Sequence, residues 1–166
     1  MAEPPDEVLA EAAFRPMRPE DLERVVEIQR SAFAHPWSRE LIAREMGHDW
    51  SSVLVAVEPG AAGEAIVGVV VFWLVHDEVH VLNVAVAPEA RRRGVARALM
   101  YEAERRGGAR GARLATLEVR RSNQAALELY RSLGYRQVGV RPRYYAEEGE
   151  DAIVMERELS SVTPAG

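Results

Sequence analysis

The chain has 166 residues and a mass of 18.5 kDa, enough for one ordinary domain with its own core. Its 48% hydrophobic and 28% charged residues exclude a disordered chain. With 21 basic against 26 acidic residues the net charge is −5, the wrong sign for a protein that lives by neutralising nucleic-acid phosphates. The absence of cysteine excludes disulfides, thiolate metal sites and a cysteine acyl-enzyme. Every basic residue is arginine, so a lysine Schiff base is excluded too. The longest apolar run, Ala65 to Val75, is eleven residues, too short to span a bilayer. Met1 to Ala13 is acidic and carries Pro4 and Pro5, unlike a secretion signal. A cytoplasmic protein without membrane or direct nucleic-acid contacts is expected.

Residues 1–13 and 160–166 read as loose tails flanking one domain over 14–159. Phe14 to Met17 is a short strand, and Pro19 opens a helix with Glu20 and Asp21 in its first turn, where the dipole favours acids. Leu22, Val25, Val26, Ile28 and Ala32 give that helix an apolar face. Ser38 caps a second short helix that reaches about Met46. The period then changes. Val53–Val57 is a strand, Pro59, Gly60 and Gly63 form a turn, and Ile66–Val75 and Val79–Val86 are two further strands joined at Asp77 and Glu78. A helix follows Gly94 and ends near Gly107 and Gly108. Arg113–Val119 is a strand. Ser122 is placed to cap the next helix, which buries Ala125, Ala126, Leu129 and Leu133 and stops at Gly134. Tyr135–Val140 and Ala152–Leu159 close the chain as strands around a polar loop. The order is that of an α/β (α+β) fold, with about seven strands in a mixed, mostly antiparallel sheet and about four helices packed on it.

Two segments carry chemistry. In Val84 to Arg97, VAVAPEARRRGVAR, a strand runs into three arginines and then a helix opening at Gly94. The first N–H groups of a helix lack intrahelical acceptors and sit at its positive end. Small residues at 94 and 96 let a pyrophosphate approach them, and arginine adds forked donors. A solvated basic helix start fits the same six residues. A P-loop does not, since there is no GK[ST]. In the second segment Glu118 ends an apolar strand, an expensive place for a carboxylate without a partner or a task. Tyr130 lies seven residues after Asn123, about two helical turns, so both share one helix face. Glu118 and Tyr130 suit an acid/base pair; a surface-paired glutamate and a core tyrosine suit the pattern as well.

Together, R-x-x-G-x-A at 91–96 and SN-x-x-A-x-x-LY-x-x-LG-Y at 122–135 resemble the GCN5-related N-acetyltransferases (GNAT). His35-Pro36-Trp37-Ser38, Leu82-Asn83-Val84-Ala85-Val86, Arg141, Tyr144-Tyr145 and Glu150 to Met155 resemble its RimI-type protein N-terminal acetyltransferases, over roughly residues 14 to 159. The resemblance implies the GNAT fold and acetyl-CoA as cosubstrate, with the pantetheine arm along the backbone of Val84, Ala85 and Val86. It implies the pyrophosphate on Arg91, Arg92, Arg93, Gly94, Val95, Ala96 and Arg97, and a cofactor contact from Asn123. It also implies Glu118 as general base, Tyr130 as general acid, and Trp37, Tyr144 and Tyr145 around an incoming peptide. The substrate it implies is a protein N-terminus, as with the N-terminal alanine of a small-subunit ribosomal protein.

Direct attack of the amine in a ternary complex is then the simplest route. An α-amino group titrates near ~7.7–8.0 and a lysine amine near ~10.4, so roughly a tenth of the former is free at neutral pH. A modest base such as Glu118 suits it. His76 and His80 flank Asp77 and Glu78, but across a strand turn that spacing does not converge on a metal, and no metal is expected. Acetylation of a small-molecule amine, or a catalytically silent CoA-binding module, are the competing readings.

Overall fold

The computed structural model of the chain describes residues 13–159, so the two expected tails lie outside the described residues, apart from Ala13. Its elements are β1 (Ala13–Pro16), α1 (Leu22–Ala32), α2 (Arg39–Glu45), β2 (Ser51–Gly60), β3 (Gly63–Val75) and β4 (Glu78–Val86), then α3 (Val95–Ala109), β5 (Leu114–Arg120), α4 (Gln124–Ser132), β6 (Arg136–Tyr145) and β7 (Glu150–Glu158). One seven-stranded sheet runs in the order β1-β2-β3-β4-β5-β7-β6. All its pairs are antiparallel except β4–β5. None of the described helices is long and apolar enough to cross a membrane.

β3 is apolar without alternation, and its residues 66–72 are buried one after another. That pattern belongs to a strand covered on both faces. α1 and α3 both pack against β3 and β4. Two glycines seat α3 on the sheet: a Cβ on Gly68 would lie 2.9 Å from side-chain atoms of Val95 and Leu99, and one on Gly107 would lie 2.1 Å from Cγ2 of Val79. α3 runs through Gly107 and Gly108 to Ala109, close to its expected end; Gly107 is contact surface against β4, whereas a Cβ on Gly108 would meet nothing within 4 Å. The expected N-cap Ser38 accepts from the Leu41 amide at 3.1 Å. At α4 the cap is one residue later than expected. Asn123 accepts from Ala126 N–H, whereas Ser122 donates its amide to Glu150 at 2.9 Å. Its most buried side chain is Leu127; Ala125 is exposed.

β6 is the larger departure. It extends through Tyr145, past the expected end at Val140, with Tyr145 paired to Glu150 beyond a register shift at Arg141/Tyr145. Arg143 absorbs the irregularity with φ 53°. The turn between β6 and β7 is correspondingly short, and Tyr144 and Tyr145 lie on a strand rather than in a loop.

Candidate active site

The site exists because two parallel strands part. β4 and β5 pair only from Glu78↔Leu114 to Val81↔Leu117. Beyond that point β4 remains bonded to β3, through Val84↔Val70, Ala85↔Val69 and Val86↔Gly68, while β5 continues beside β7. A register shift that skips Leu82 bends β4 at the parting. The edge of Val84–Val86 that faces the gap has no strand partner among the described residues. Asn83 is buried and holds the bend to α1 by a reciprocal amide pair with Gln29, at 2.6 and 3.1 Å.

A pocket of about 270 Å3 fills the gap. Val84, Glu118, Asn123, Tyr130, Tyr145 and Trp37 all line it. Five expected site residues from four separate elements thus meet Trp37, which comes from the α1–α2 loop. Tyr144 does not join them; it is 43% exposed, with the Arg141 guanidinium 4.4 Å from its ring centre. Arg120 lies 3.9 Å over the Tyr145 ring and bonds Glu148 at 3.0 Å, and Glu148 reaches His35 at 2.9 Å. That chain ties the α1–α2 loop to the β6–β7 turn beside the pocket.

Glu118 is bonded to His80 Nε2 through Oε2 at 2.6 Å and accepts from Arg141 through Oε1 at 3.4 Å. Burial by itself would push its carboxyl up, but His80 and Arg141 outweigh burial and hold it below the usual carboxylate range. Burial pushes the Tyr130 phenol up to about 12, so it keeps its proton. Tyr145 is raised to about 12 by the same cause, against the pull of Arg120. A carboxylate kept ionised and a phenol kept protonated face one cavity, which is the division of labour that proton transfer in two directions needs. The sequence alone had not linked His80 to this site. His76, its supposed companion, stands exposed in the β3–β4 turn with φ 55°.

A second pocket of about 490 Å3 lies at the mouth of α3, lined by Val86, Arg91, Arg92, Gly94, Ala96 and Arg97 among others. Arg92 and Gly94 take left-handed φ values of 62° and 79°. No acidic residue occupies the first turn of α3. Positive φ values alternating along a short loop turn successive amides inward, an arrangement suited to an anion. Arg93 departs from expectation: its guanidinium pairs with Glu58 on β2 at 2.7 Å and does not line the pocket. Arg91 donates to the Ser31 carbonyl and Arg97 to the Ser132 hydroxyl, so both brace the loop while bordering the cavity.

Residues 22–135 match the acetyltransferase (GNAT) family. The chain belongs to that family. As a GNAT member it is an acyltransferase, and among its relatives is the [ribosomal protein bS18]-alanine N-acetyltransferase of Escherichia coli K12, 35% identical over 142 residues, covering 84% of this chain and 93% of the relative. The N-alpha-acetyltransferase RimI of Mycobacterium tuberculosis is 45% identical over 83 residues, about half of each chain. The crystal structure of the ribosomal-protein-S18-alanine N-acetyltransferase from Escherichia coli superposes with a TM-score of 0.79 at 30% identity, covering 93% of this chain and 98% of that one. The GNAT fold expected from sequence is the fold observed.

Proposed function

We propose that this GNAT enzyme acetylates the α-amine of a protein N-terminus with acetyl-CoA as donor, and that a ribosomal protein beginning with alanine is a substrate. The observation that carries this reading is the meeting of ionised Glu118 and protonated Tyr130 in the gap between β4 and β5. The residues fit the cosubstrate. A free strand edge at Val84–Val86 suits an amide-bearing pantetheine arm, and the acid-free mouth of α3 suits a pyrophosphate. Acetyl-CoA supplies an activated acetyl thioester whose sulfur departs as the amine takes its place.

The protein's own groups do the rest. Glu118 accepts the proton that the incoming ammonium must lose, directly or through water. Tyr130 donates toward the position of the departing sulfur, or holds a hydrogen bond there. Amides of the free β4 edge polarise the reacting carbonyl. Arg92 and Arg97, with the amides of Gly94, Val95 and Ala96, hold the diphosphate, and Asn123 contacts the same ligand. Trp37 and Tyr145 wall the channel for a peptide, with Tyr144 at its outer rim. A ribosomal-protein substrate sets the cytoplasm as the place of reaction.

A panel of peptides differing only in the first residue tests the proposal, with acetylation located by fragmentation mass spectrometry. Acetyl groups on the α-amine, fastest on alanine-first peptides, are the expected result. Turnover of small polyamines or aminoglycosides with none of the peptides would overturn it.

A further inference from the structure

We propose that His80 is a positioning residue for Glu118: it holds one carboxylate oxygen against the sheet so that the other, Oε1, is the oxygen that meets the substrate ammonium. This inference rests on Glu118 being the general base.

The argument starts from register. His80 pairs with Thr116 across the parallel β4–β5 ladder, and Glu118 lies two residues further along, on the same face of β5. The last paired residues before the strands part therefore bring an imidazole and a carboxylate together, with Nε2 and Oε2 2.6 Å apart. The His80 ring is itself fixed. Trp73, its register partner on β3, meets it edge-on with ring centres 6.0 Å apart and planes at 89°. Trp73 in turn donates from Nε1 to both oxygens of Glu45, at 3.1 and 3.3 Å, and Glu45 at the end of α2 is 4% exposed. A buried carboxylate, an indole and an imidazole so form a column across three elements that ends on Glu118.

The two oxygens of Glu118 are held very differently. Oε2 has a short bond to a ring locked by packing. Oε1 has one 3.4 Å contact with Arg141, whose side chain is 54% exposed and lies over Tyr144. A long contact to an exposed guanidinium is weak and easily exchanged, whereas the charge-assisted contact to His80 is strong and directional. An arriving ammonium replaces Arg141 at Oε1 with like charge for like charge. Were Oε2 released, the carboxylate would turn about its own bond and the amine would meet it off line. Small misplacements of that kind cost on the order of 10²-fold in rate.

The test uses the full chain and steady-state kinetics with an alanine-first peptide. His80→Phe keeps an aromatic ring against Trp73 but offers Oε2 nothing; kcat is expected to fall about 10²-fold with the KM for acetyl-CoA unchanged. His80→Gln, whose amide reaches as far as Nε2, restores most of the loss. Glu118→Gln lowers kcat, and adding His80→Phe to it lowers kcat no further, since a group acting through Glu118 has nothing left to position. If His80→Phe does not fold, His80→Asn, whose amide stops short of Oε2, takes its place with the same expectation. Unchanged kcat in Glu118→Gln would remove the base itself. A loss in Glu118→Gln together with full kcat in the His80 variants, or with losses that multiply in the double variant, would overturn the positioning role and leave the base standing.

Discussion

Gly107 on α3 lies so close to Val79 on β4 that a methyl group at its Cα would sit 2.1 Å from Cγ2 of the valine. Val79 is fully buried and β-branched, with its χ1 restricted, so it yields little. The helix must move instead, and it is the helix whose first turn lines the second pocket. Gly107→Ala gains up to about 1 kcal/mol in helix propensity and loses about 1–3 kcal/mol to overpacking. The second effect wins. Thermal melts should show a Tm lowered by a few degrees, at about 2–4 °C per kcal/mol for a chain of this size. An equal or higher Tm would mean that α3 sits further from the sheet than this contact requires.

Tyr130 keeps its proton because burial raises its phenol to about 12. Activity that depends on the protonated form therefore has no alkaline fall from Tyr130 until the pH approaches that value. On the acid side Glu118 stays ionised, being held below the usual carboxylate range. With the ammonium's proton handed on through Glu118 to solvent before attack, the visible rise of kcat/KM is set by the substrate amine, near ~7.7–8.0 for an α-amino group. A pH profile that rises through that range and stays flat to about pH 10 is the expected result. Tyr130→Phe should lower kcat about 10²-fold, the low end for general acids, because a thiol of pKa ~8.5 leaves with modest help. A bell whose alkaline limb falls at pH ~10 and disappears in Tyr130→Phe would show an ordinary phenol there.

The entry to α1 supplies a stability test. Asp21 receives both guanidinium nitrogens of Arg15, at 2.7 and 3.1 Å, and the Arg18 amide at 2.7 Å. The Arg15 bond, chiefly, pulls its carboxyl below the usual value against the opposing effect of burial. A carboxyl depressed in the folded state contributes stability above its unfolded pKa of ~3.9, and that contribution is lost as pH falls through the folded value. Asp21→Asn should cost about 1–3 kcal/mol at neutral pH, with the gap to wild type closing below about pH 4. Urea melts at several pH values measure it. A gap that persists unchanged at pH 3 would trace the loss to shape alone.

What could be read from the sequence was local. Glu118 at a strand end and the Asn123–Tyr130 helix face each follow from the period of one element, and both residues now line one pocket. The mouth of α3 was legible because the arginine run, Gly94 and Ala96 are consecutive features. His80 was not, because its tie to Glu118 depends on which residues of β4 and β5 stand side by side, and register across a parallel pair leaves no mark on either strand. Arg93 misled for a related reason. Three arginines in a row look equivalent, yet only the fold decides that one of them finds Glu58, 35 residues earlier. Tyr144 and Tyr145 follow Arg141-Pro142-Arg143, a polar run with a proline; β7 draws them into a strand by pairing beyond the irregularity.

Gly94 gives the most selective test of the anion pocket. Its φ of 79° costs an L-residue about 1–2 kcal/mol, but aspartate tolerates that region better than most. A negative charge at the start of α3 returns about 0.3–1 kcal/mol through the dipole. Gly94→Asp should therefore fold nearly as well as wild type. Its carboxylate occupies the same amides that a diphosphate needs and repels the diphosphate as well, so calorimetry should show affinity for CoA reduced at least about tenfold, that is by about 1.4 kcal/mol or more. Gly94→Ala carries the backbone strain without the charge and should lose less. Pantetheine, which lacks the diphosphate, should bind all three proteins alike. If Gly94→Asp instead weakens pantetheine as much as CoA, the mouth of α3 does not hold the diphosphate, and the loss comes from a displaced helix.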